Sequence, residues 1–156
     1  MSEGRLSSWP DGWRSWRRHS WADRRLLFEA ALWLGLARLA VRAVPFRRLA
    51  PFLGKHEVES AVGDVPERSA DLRRVAWAVR AASLRLPWRC LCLEQAIAAK
   101  MMLRRLGLEN TLYLGAARTD DGMEAHAWLR SGSFILTGAE GRERFAVVAT
   151  FADDAG

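Results

Sequence analysis

The sequence predicts an α+β fold in which helices come first along the chain and short strands follow. Apolar residues recur at helical spacing in several segments between residues 22 and 106. Residues 111–151 instead contain short runs rich in β-forming residues, separated by glycine-containing turns. Half of the 156 residues are apolar, which is enough to build a core in a single domain. Helices and strands segregated in this way are typical of an α+β layout.

Three helices are predicted, within residues 22–46, 70–86 and 92–106. The first is apolar nearly all round and is too short to span a bilayer. Its charged residues Glu29 and Arg38 lie near opposite sides of a helix, so it has no clean polar face. We therefore expect it to pack on the domain, with peripheral contact to a membrane as the alternative.

Four strands are predicted after the helices, and their short turns favour an antiparallel meander. The polar segment 54–69 is predicted to connect the first helix to the second. We divide the chain into a basic, Trp-rich helical region with its connector, residues 1–66, and a core, residues 67–156. The predicted strands cover residues 111–118, 124–130, 133–137 and 144–151.

Positive charge is concentrated in the N-terminal third of the chain. Residues 1–55 carry eleven Lys and Arg against four Asp and Glu, a net charge of +7, and the rest of the chain carries −1. This asymmetry favours an anionic membrane surface or an acidic protein as partner, and no nucleic-acid recognition motif accompanies it. The N-terminus is charged and lacks an early apolar run, so we expect no secretion signal and a cytoplasmic location.

Cys90 and Cys92, the two cysteines of the chain, are separated by one residue. A disulfide between them would close a very tight loop in a reducing compartment, and we do not predict one. A metal site would need further close ligands, whereas His56 and His126 are distant in sequence. An inert pair packed in the core stays open as an interpretation.

Cys92 has the position expected of a nucleophile. It begins the third predicted helix, and the N-terminus of a helix favours an anion such as a thiolate. A base is offered by His126, which lies inside an apolar strand pattern where an unneeded imidazole would be costly. His19 and His56 lie in polar segments and are expected to be solvated. A cysteine at a helix start followed by a strand histidine is the chain order of a papain-like or transglutaminase-like site.

Three motifs carry a resemblance to a known family. Residues 87–107 pair Pro-Trp and Cys92 with spaced alanines and an Arg-Arg ahead of the final glycine. LYLGAAR follows at 112–118, and AHAWL at 125–129. The combination resembles the leader peptidases of lasso peptide biosynthesis, which belong to the transglutaminase-like, papain-related superfamily. The resemblance is strongest over residues 87–137.

The resemblance implies a papain- or transglutaminase-like core with the catalytic cysteine at a helix N-terminus packed on an antiparallel sheet. The family nucleophile falls on Cys92, because the spacing to Gly107 fits it, and the family histidine falls on His126. The family usually carries an aspartate on the following strand, and here the matching position is Thr137. Glu140, or a backbone carbonyl, is the alternative third member.

The resemblance also implies a reaction and its partners. The expected function is removal of the leader peptide from a ribosomally made lasso precursor by a standalone protease. Its partners would be the precursor, a small winged-helix recognition protein, and an asparagine-synthetase-like lactam synthetase. No cofactor is expected, since the ATP dependence of maturation would lie with the synthetase. Two alternatives stay open: an amidase or acyltransferase acting on another substrate, and a non-catalytic peptide-binding scaffold.

Overall fold

Three helices are layered on a five-stranded antiparallel sheet in the computed structural model, which describes residues 20–63 and 66–153. The long helices are α1 (Trp21–Ala43), α3 (Ser69–Ser83) and α4 (Cys92–Arg105), and α2 (Phe46–Leu49) is a single turn after α1. α1 packs on α3 and α4, and these two helices pack on the sheet. The predicted α+β class, with a helical N-terminal part followed by a sheet core, is confirmed.

α1 packs on the domain as predicted. Ser20 caps its start: the Ser20 hydroxyl accepts a hydrogen bond from the Asp23 N–H, and the Asp23 carboxylate accepts one from the Ser20 N–H. Four small or aliphatic residues at helical spacing form its buried face, because their side chains all point to the same side of the helix. They are Leu27, Ala30, Leu34 and Ala37.

α4 lies in the centre of the molecule because its alanines let its neighbours approach closely. Ala96, Ala98 and Ala99 are completely buried, and Leu103 is buried one turn after Ala99. The helix ends at Arg105, close to the predicted end, with Gly107 following at φ +66°.

The strand order in the sheet is β1-β5-β2-β3-β4, with every neighbouring pair antiparallel. β2, β3 and β4 form the predicted meander, but β5 pairs with β2 instead of β4. The long β2–β3 hairpin leaves the outer edge of β2 free to receive a returning strand. The strand bounds are β1 Lys55–His56, β2 Asn110–Thr119, β3 Gly122–Ser131, β4 Phe134–Thr137 and β5 Ala146–Asp153.

The predicted connector contributes to the sheet. β1 lies within it and pairs with the end of β5. Ser60 is buried, and its N–H and hydroxyl both lie 2.8 Å from the Thr111 hydroxyl oxygen. The Tyr113 hydroxyl donates to the Glu59 carboxylate at 2.6 Å. A segment with no hydrophobic periodicity is therefore held to the sheet by polar contacts.

The two faces of the sheet carry different clusters, as the alternation along β3 predicts. Ala127 and Leu129 belong to the main core beneath the helices, while Trp128 joins a second cluster with Tyr113 and Phe145. Within the described ranges, no helix is both long and apolar enough to cross a membrane.

Candidate functional site

Cys92 is the first residue of α4, as predicted. Leu91 before it is extended, and its N–H donates to the Glu94 carboxylate at 3.1 Å. The Gln95 side-chain amide donates to the Cys90 carbonyl at 3.1 Å, which holds the approach to the helix in place. Cys92 is half-buried against the main core and is a free thiol. Its sulfur therefore lies at the end of α4 where unpaired backbone N–H groups favour a negative charge.

Cys90 is the less suitable nucleophile of the two. Burial raises the pKa of its thiol, and the negative charge of Glu94 raises it further, which outweighs the opposing effects of Trp88 and Arg38. A raised pKa disfavours the thiolate, the reactive form of a cysteine. Among the described residues, no group of three His, Cys, Asp or Glu side chains could hold a metal ion.

Arg38 ties α1 to the start of α4. The Arg38 guanidinium lies 3.6 Å from the carboxylate of Glu94, a side chain that is only 1% exposed. The guanidinium also donates a hydrogen bond to the Arg89 carbonyl at 3.4 Å. The same guanidinium lies 5.5 Å from the centre of the Trp88 ring. One side chain thus contacts both the loop ahead of Cys92 and the first turn of its helix.

His126 lies on β3 opposite Gly115, with its ring half-buried. Its Nε2 lies 2.9 Å from the Gly138 carbonyl oxygen, and the ring centre lies 5.0 Å from that of Phe145 and 5.9 Å from that of Trp128. Because a carbonyl can only accept, this bond places the proton on Nε2 of the neutral ring and leaves the Nδ1 lone pair available. Nδ1 is therefore the atom that could act as a base.

Gly138 can hold its carbonyl against His126 because it has no side chain. Its φ is +69°, and a Cβ there would lie 2.3 Å from the Ala127 carbonyl oxygen and 2.9 Å from Trp128 Cβ. Gly115 makes room for the rings of Phe145 and Trp128 in the same way, since a Cβ on it would lie 2.7–2.8 Å from atoms of these side chains. Both glycines make room for the aromatic surroundings of His126.

The contact between Lys100 and Asn110 is a reference point for the positions of Cys92 and His126 along their elements. Lys100, in the second half of α4, bonds Asn110 at the start of β2. Cys92 lies eight residues before Lys100, about 12 Å back along the helix. His126 pairs with Gly115, five residues or about 17 Å along β2 from Asn110.

No hydrogen bond joins these two side chains in the part of the chain that the structure describes. Cys92 packs on the helix side of the sheet, and the His126 ring lies with Trp128 and Phe145 on the other side. The structure thus brings His126 to Gly138 rather than to the thiol.

Neither side chain considered as the third member forms a hydrogen bond with His126 within the described residues. The Thr137 hydroxyl is buried without a hydrogen-bond partner within the described residues, and Glu140 is exposed to solvent. Instead, the carbonyl of Gly138, the residue after Thr137, accepts the hydrogen bond from His126 Nε2. The sequence allowed a backbone carbonyl in this role but could not say which one.

The sequence interpretation also missed the part that Arg38 and Glu94 play. The sequence shows Arg38 only as a charge that interrupts an apolar helix, because its partner Glu94 lies 56 residues away in the chain. Glu94 could have been found from its local position. It is the third residue of the predicted helix, and a glutamate there commonly accepts a hydrogen bond from the backbone N–H of the residue just before the helix, here Leu91. His56 lies on β1 against Phe151, and His19 lies outside the described residues.

Comparison with known proteins identifies the family. A model of the transglutaminase-like superfamily matches residues 40–150, which is most of the chain and includes both Cys92 and His126. No curated protein and no solved structure matches the chain. A match of this extent, over a fold of helices on an antiparallel sheet, shows that the chain belongs to the transglutaminase-like superfamily.

Proposed function

We propose that the protein is a cysteine peptidase that removes the leader peptide from a ribosomally made lasso precursor. The observation that carries the proposal is the position of Cys92, a free thiol at the first residue of the buried helix α4 within a transglutaminase-like domain. The AHAWL and PWxxxC motifs, which resemble those of lasso leader peptidases, supply the substrate class.

In the proposed reaction, the Cys92 thiolate attacks the carbonyl carbon of the peptide bond between leader and core. The backbone N–H groups at the start of α4 would stabilise the oxyanion that forms. The carbon–nitrogen bond then breaks, and the leaving amine takes a proton from the imidazolium of His126. Water hydrolyses the thioester, which releases the leader and restores the thiol.

His126 would exchange protons through Nδ1, because Nε2 is engaged by the Gly138 carbonyl. A carbonyl orients the ring as an aspartate does, but it carries no full negative charge to stabilise the imidazolium. We therefore expect a slower enzyme than one with the aspartate. Bound precursor would also have to bring the His126 ring, which lies on the other face of the sheet, within reach of the Cys92 thiol.

The proposed partners follow from the family resemblance. A small winged-helix protein would capture the leader and present the cleavage site to Cys92. A lactam synthetase of the asparagine-synthetase type would then use ATP to join the freed amino terminus to an acidic side chain of the core.

A non-catalytic, peptide-binding scaffold is the second candidate function. Two observations favour it: the described side chains of Cys92 and His126 share no hydrogen bond, and threonine stands where the family has aspartate. An acyltransferase or amidase would use the same Cys92 chemistry on another acyl donor.

Incubation with precursor tests these candidates. The protein is mixed with candidate precursors, with and without a recognition protein, and free leader is measured by mass spectrometry. We expect Cys92→Ala to lower the rate of leader release by at least about 10³-fold. Cys90→Ala removes a thiol of the same chemistry two residues away, and we expect it to keep at least about half of the rate.

The possible outcomes separate the candidates. Equal loss in both variants, or loss only in Cys90→Ala, contradicts the choice of nucleophile. Precursor that binds without being cleaved, with parent and Cys92→Ala alike, supports the scaffold. Transfer of the acyl group to added hydroxylamine, without leader release into water, supports an acyltransferase.

A further inference from the structure

The outer face of α1 is an apolar stripe that the other described residues, 44–63 and 66–153, leave exposed. Five large apolar side chains along the helix are 44–79% exposed, although hydrophobic residues of this size are usually buried. They are Trp21, Phe28, Leu32, Leu36 and Leu39.

The stripe is straight and runs nearly the whole length of the helix. At 100° per residue, Trp21, Phe28, Leu32 and Leu39 fall within a sector about 40° wide, opposite the face that packs on α3 and α4. The distance from Trp21 to Leu39 along the helix axis is about 27 Å. The exposed side chains form a ridge, and scattered surface leucines do not align in this way.

Unpaired positive charge borders the stripe. Arg25 and Arg42 lie within about 60° of its centre on either side, and both are exposed and make no ion pair with any described residue. The acidic residues of α1 are both engaged: Asp23 binds Arg74 at 3.1 Å, and Glu29 binds Arg105 at 2.6 Å. The ridge therefore presents apolar side chains and uncompensated positive charge to the same side.

We propose that α1 docks the protein on an anionic lipid surface, with the stripe inserted among the acyl chains and its arginines at the headgroups. Aromatic and leucine side chains flanked by arginine are typical of helices that lie in the plane of a membrane interface. Charge complementarity favours anionic lipid over a second copy of the chain, because the two copies would bring Arg25 and Arg42 toward like charges. The inference concerns the stripe alone and holds whether or not Cys92 is catalytic.

Flotation of the full chain with vesicles tests the proposal. We expect binding to vesicles of phosphatidylcholine mixed with phosphatidylglycerol, weaker binding to phosphatidylcholine alone, and loss of the difference at high salt. Phe28→Glu/Leu32→Glu should weaken binding at least about tenfold, because it removes two inserted side chains. Leu84→Glu/Val62→Glu is the matched control: it adds the same charge at two apolar positions that are at least as exposed as Leu32, and binding should change less than about twofold.

Three results would overturn the proposal. The first is no flotation of the parent with anionic vesicles. The second is equal binding by parent and Phe28→Glu/Leu32→Glu, which would move the contact to another region such as the Trp- and Arg-rich residues 1–19. The third is a parent dimer that the same double substitution dissociates, which would assign the stripe to a second copy. Circular dichroism of each variant checks that the fold is retained.

Discussion

The two ends of α4 differ in how completely their polar groups are paired. At the C-terminal end, the fully buried Lys100 ammonium donates to the Asn110 side chain at 2.7 Å and lies 2.9 Å from the Asp153 carboxylate. Arg104 makes two further bonds to Asp153, at 2.6 and 2.7 Å. At the N-terminal end the Cys92 thiol has no hydrogen-bond partner among the described residues.

The two ends of α4 therefore have different roles. Buried charges are stable only when they are paired, so the C-terminal end fixes α4 to β2 and β5. A helix anchored so firmly at one end can leave the Cys92 thiol and unpaired backbone N–H groups at the other end, where the proposed reaction would take place. The predictions below test each end against the other.

The largest effect is expected at the anchored end. Asp153→Ala leaves Lys100 without its anion inside the core, and the free energy of unfolding should fall by about 3–5 kcal/mol. Glu29→Ala is the control, because Glu29 also accepts two bonds from an arginine of α4, but Arg105 is half exposed. This second loss should be below about 1 kcal/mol. Urea unfolding measures both, and equal losses would contradict the anchoring role of Asp153.

The same cluster predicts how stability depends on pH. Burial lowers the pKa of Lys100 from 10.5 to about 8, although Asp153 opposes the shift. Between pH 8 and 10.5 the unfolded chain therefore holds more protons at this residue than the folded chain. The contribution of Lys100 to stability thus becomes more favourable as pH rises through that range, by on the order of 1–3 kcal/mol.

Unfolding in urea across this pH range, for the parent and for Lys100→Met, isolates that contribution. The parent should gain stability relative to the variant as pH rises, and parallel curves would contradict the prediction.

Asp153 affects how the stability of the fold changes at acid pH. Burial raises its pKa, but bonds from Arg104 and Lys100 outweigh this and lower it. Its contribution is therefore present above pH 3.8 and is lost as pH falls below that value.

A smaller effect is expected at the N-terminal end of α4, where the proposed nucleophile Cys92 lies. Arg38→Gln releases Glu94 and the loop ahead of Cys92, so the rate of leader release should fall about tenfold. Arg105→Gln breaks a second ion pair between α1 and α4, far from the thiol, and should leave the rate within about twofold. The rates are compared at saturating precursor by mass spectrometry. Equal rates in the two variants would show that Arg38 does not position the nucleophile.

The parts of the fold that depend on local pattern could be predicted from the sequence. The start of α4 at Cys92 follows from helical spacing, and the alternation that separates Trp128 from Leu129 follows from strand geometry. Long-range pairing could not be predicted in this way. β5 returns to β2, and a polar segment supplies β1, because hydrogen bonds between backbones leave no mark on the side-chain pattern.

The candidate site shows the same limit. Cys92 and His126 were found from residue type and position, but the group that binds His126 is a backbone carbonyl, which every residue carries. Likewise, the helical spacing of apolar residues does not predict that Lys100 is buried. Its burial depends on Asp153, 53 residues further along the chain.

The smallest effect is expected at Thr137, the side chain that the resemblance to lasso leader peptidases matches to their aspartate. Its hydroxyl is buried without a partner within the described residues, so Thr137→Val removes an unsatisfied polar group and keeps the shape. Stability should be unchanged or should rise by less than about 1 kcal/mol. Leader release should also be unchanged, because the Gly138 carbonyl and not this hydroxyl binds His126. Thr137→Asp is the informative partner variant: the family resemblance puts an aspartate at this position, and a severalfold rise in rate would show that a carboxylate here reaches the His126 imidazolium. Unfolding in urea and leader release by mass spectrometry are measured for both variants. A large loss of rate in Thr137→Val would instead make Thr137 the third member of the site.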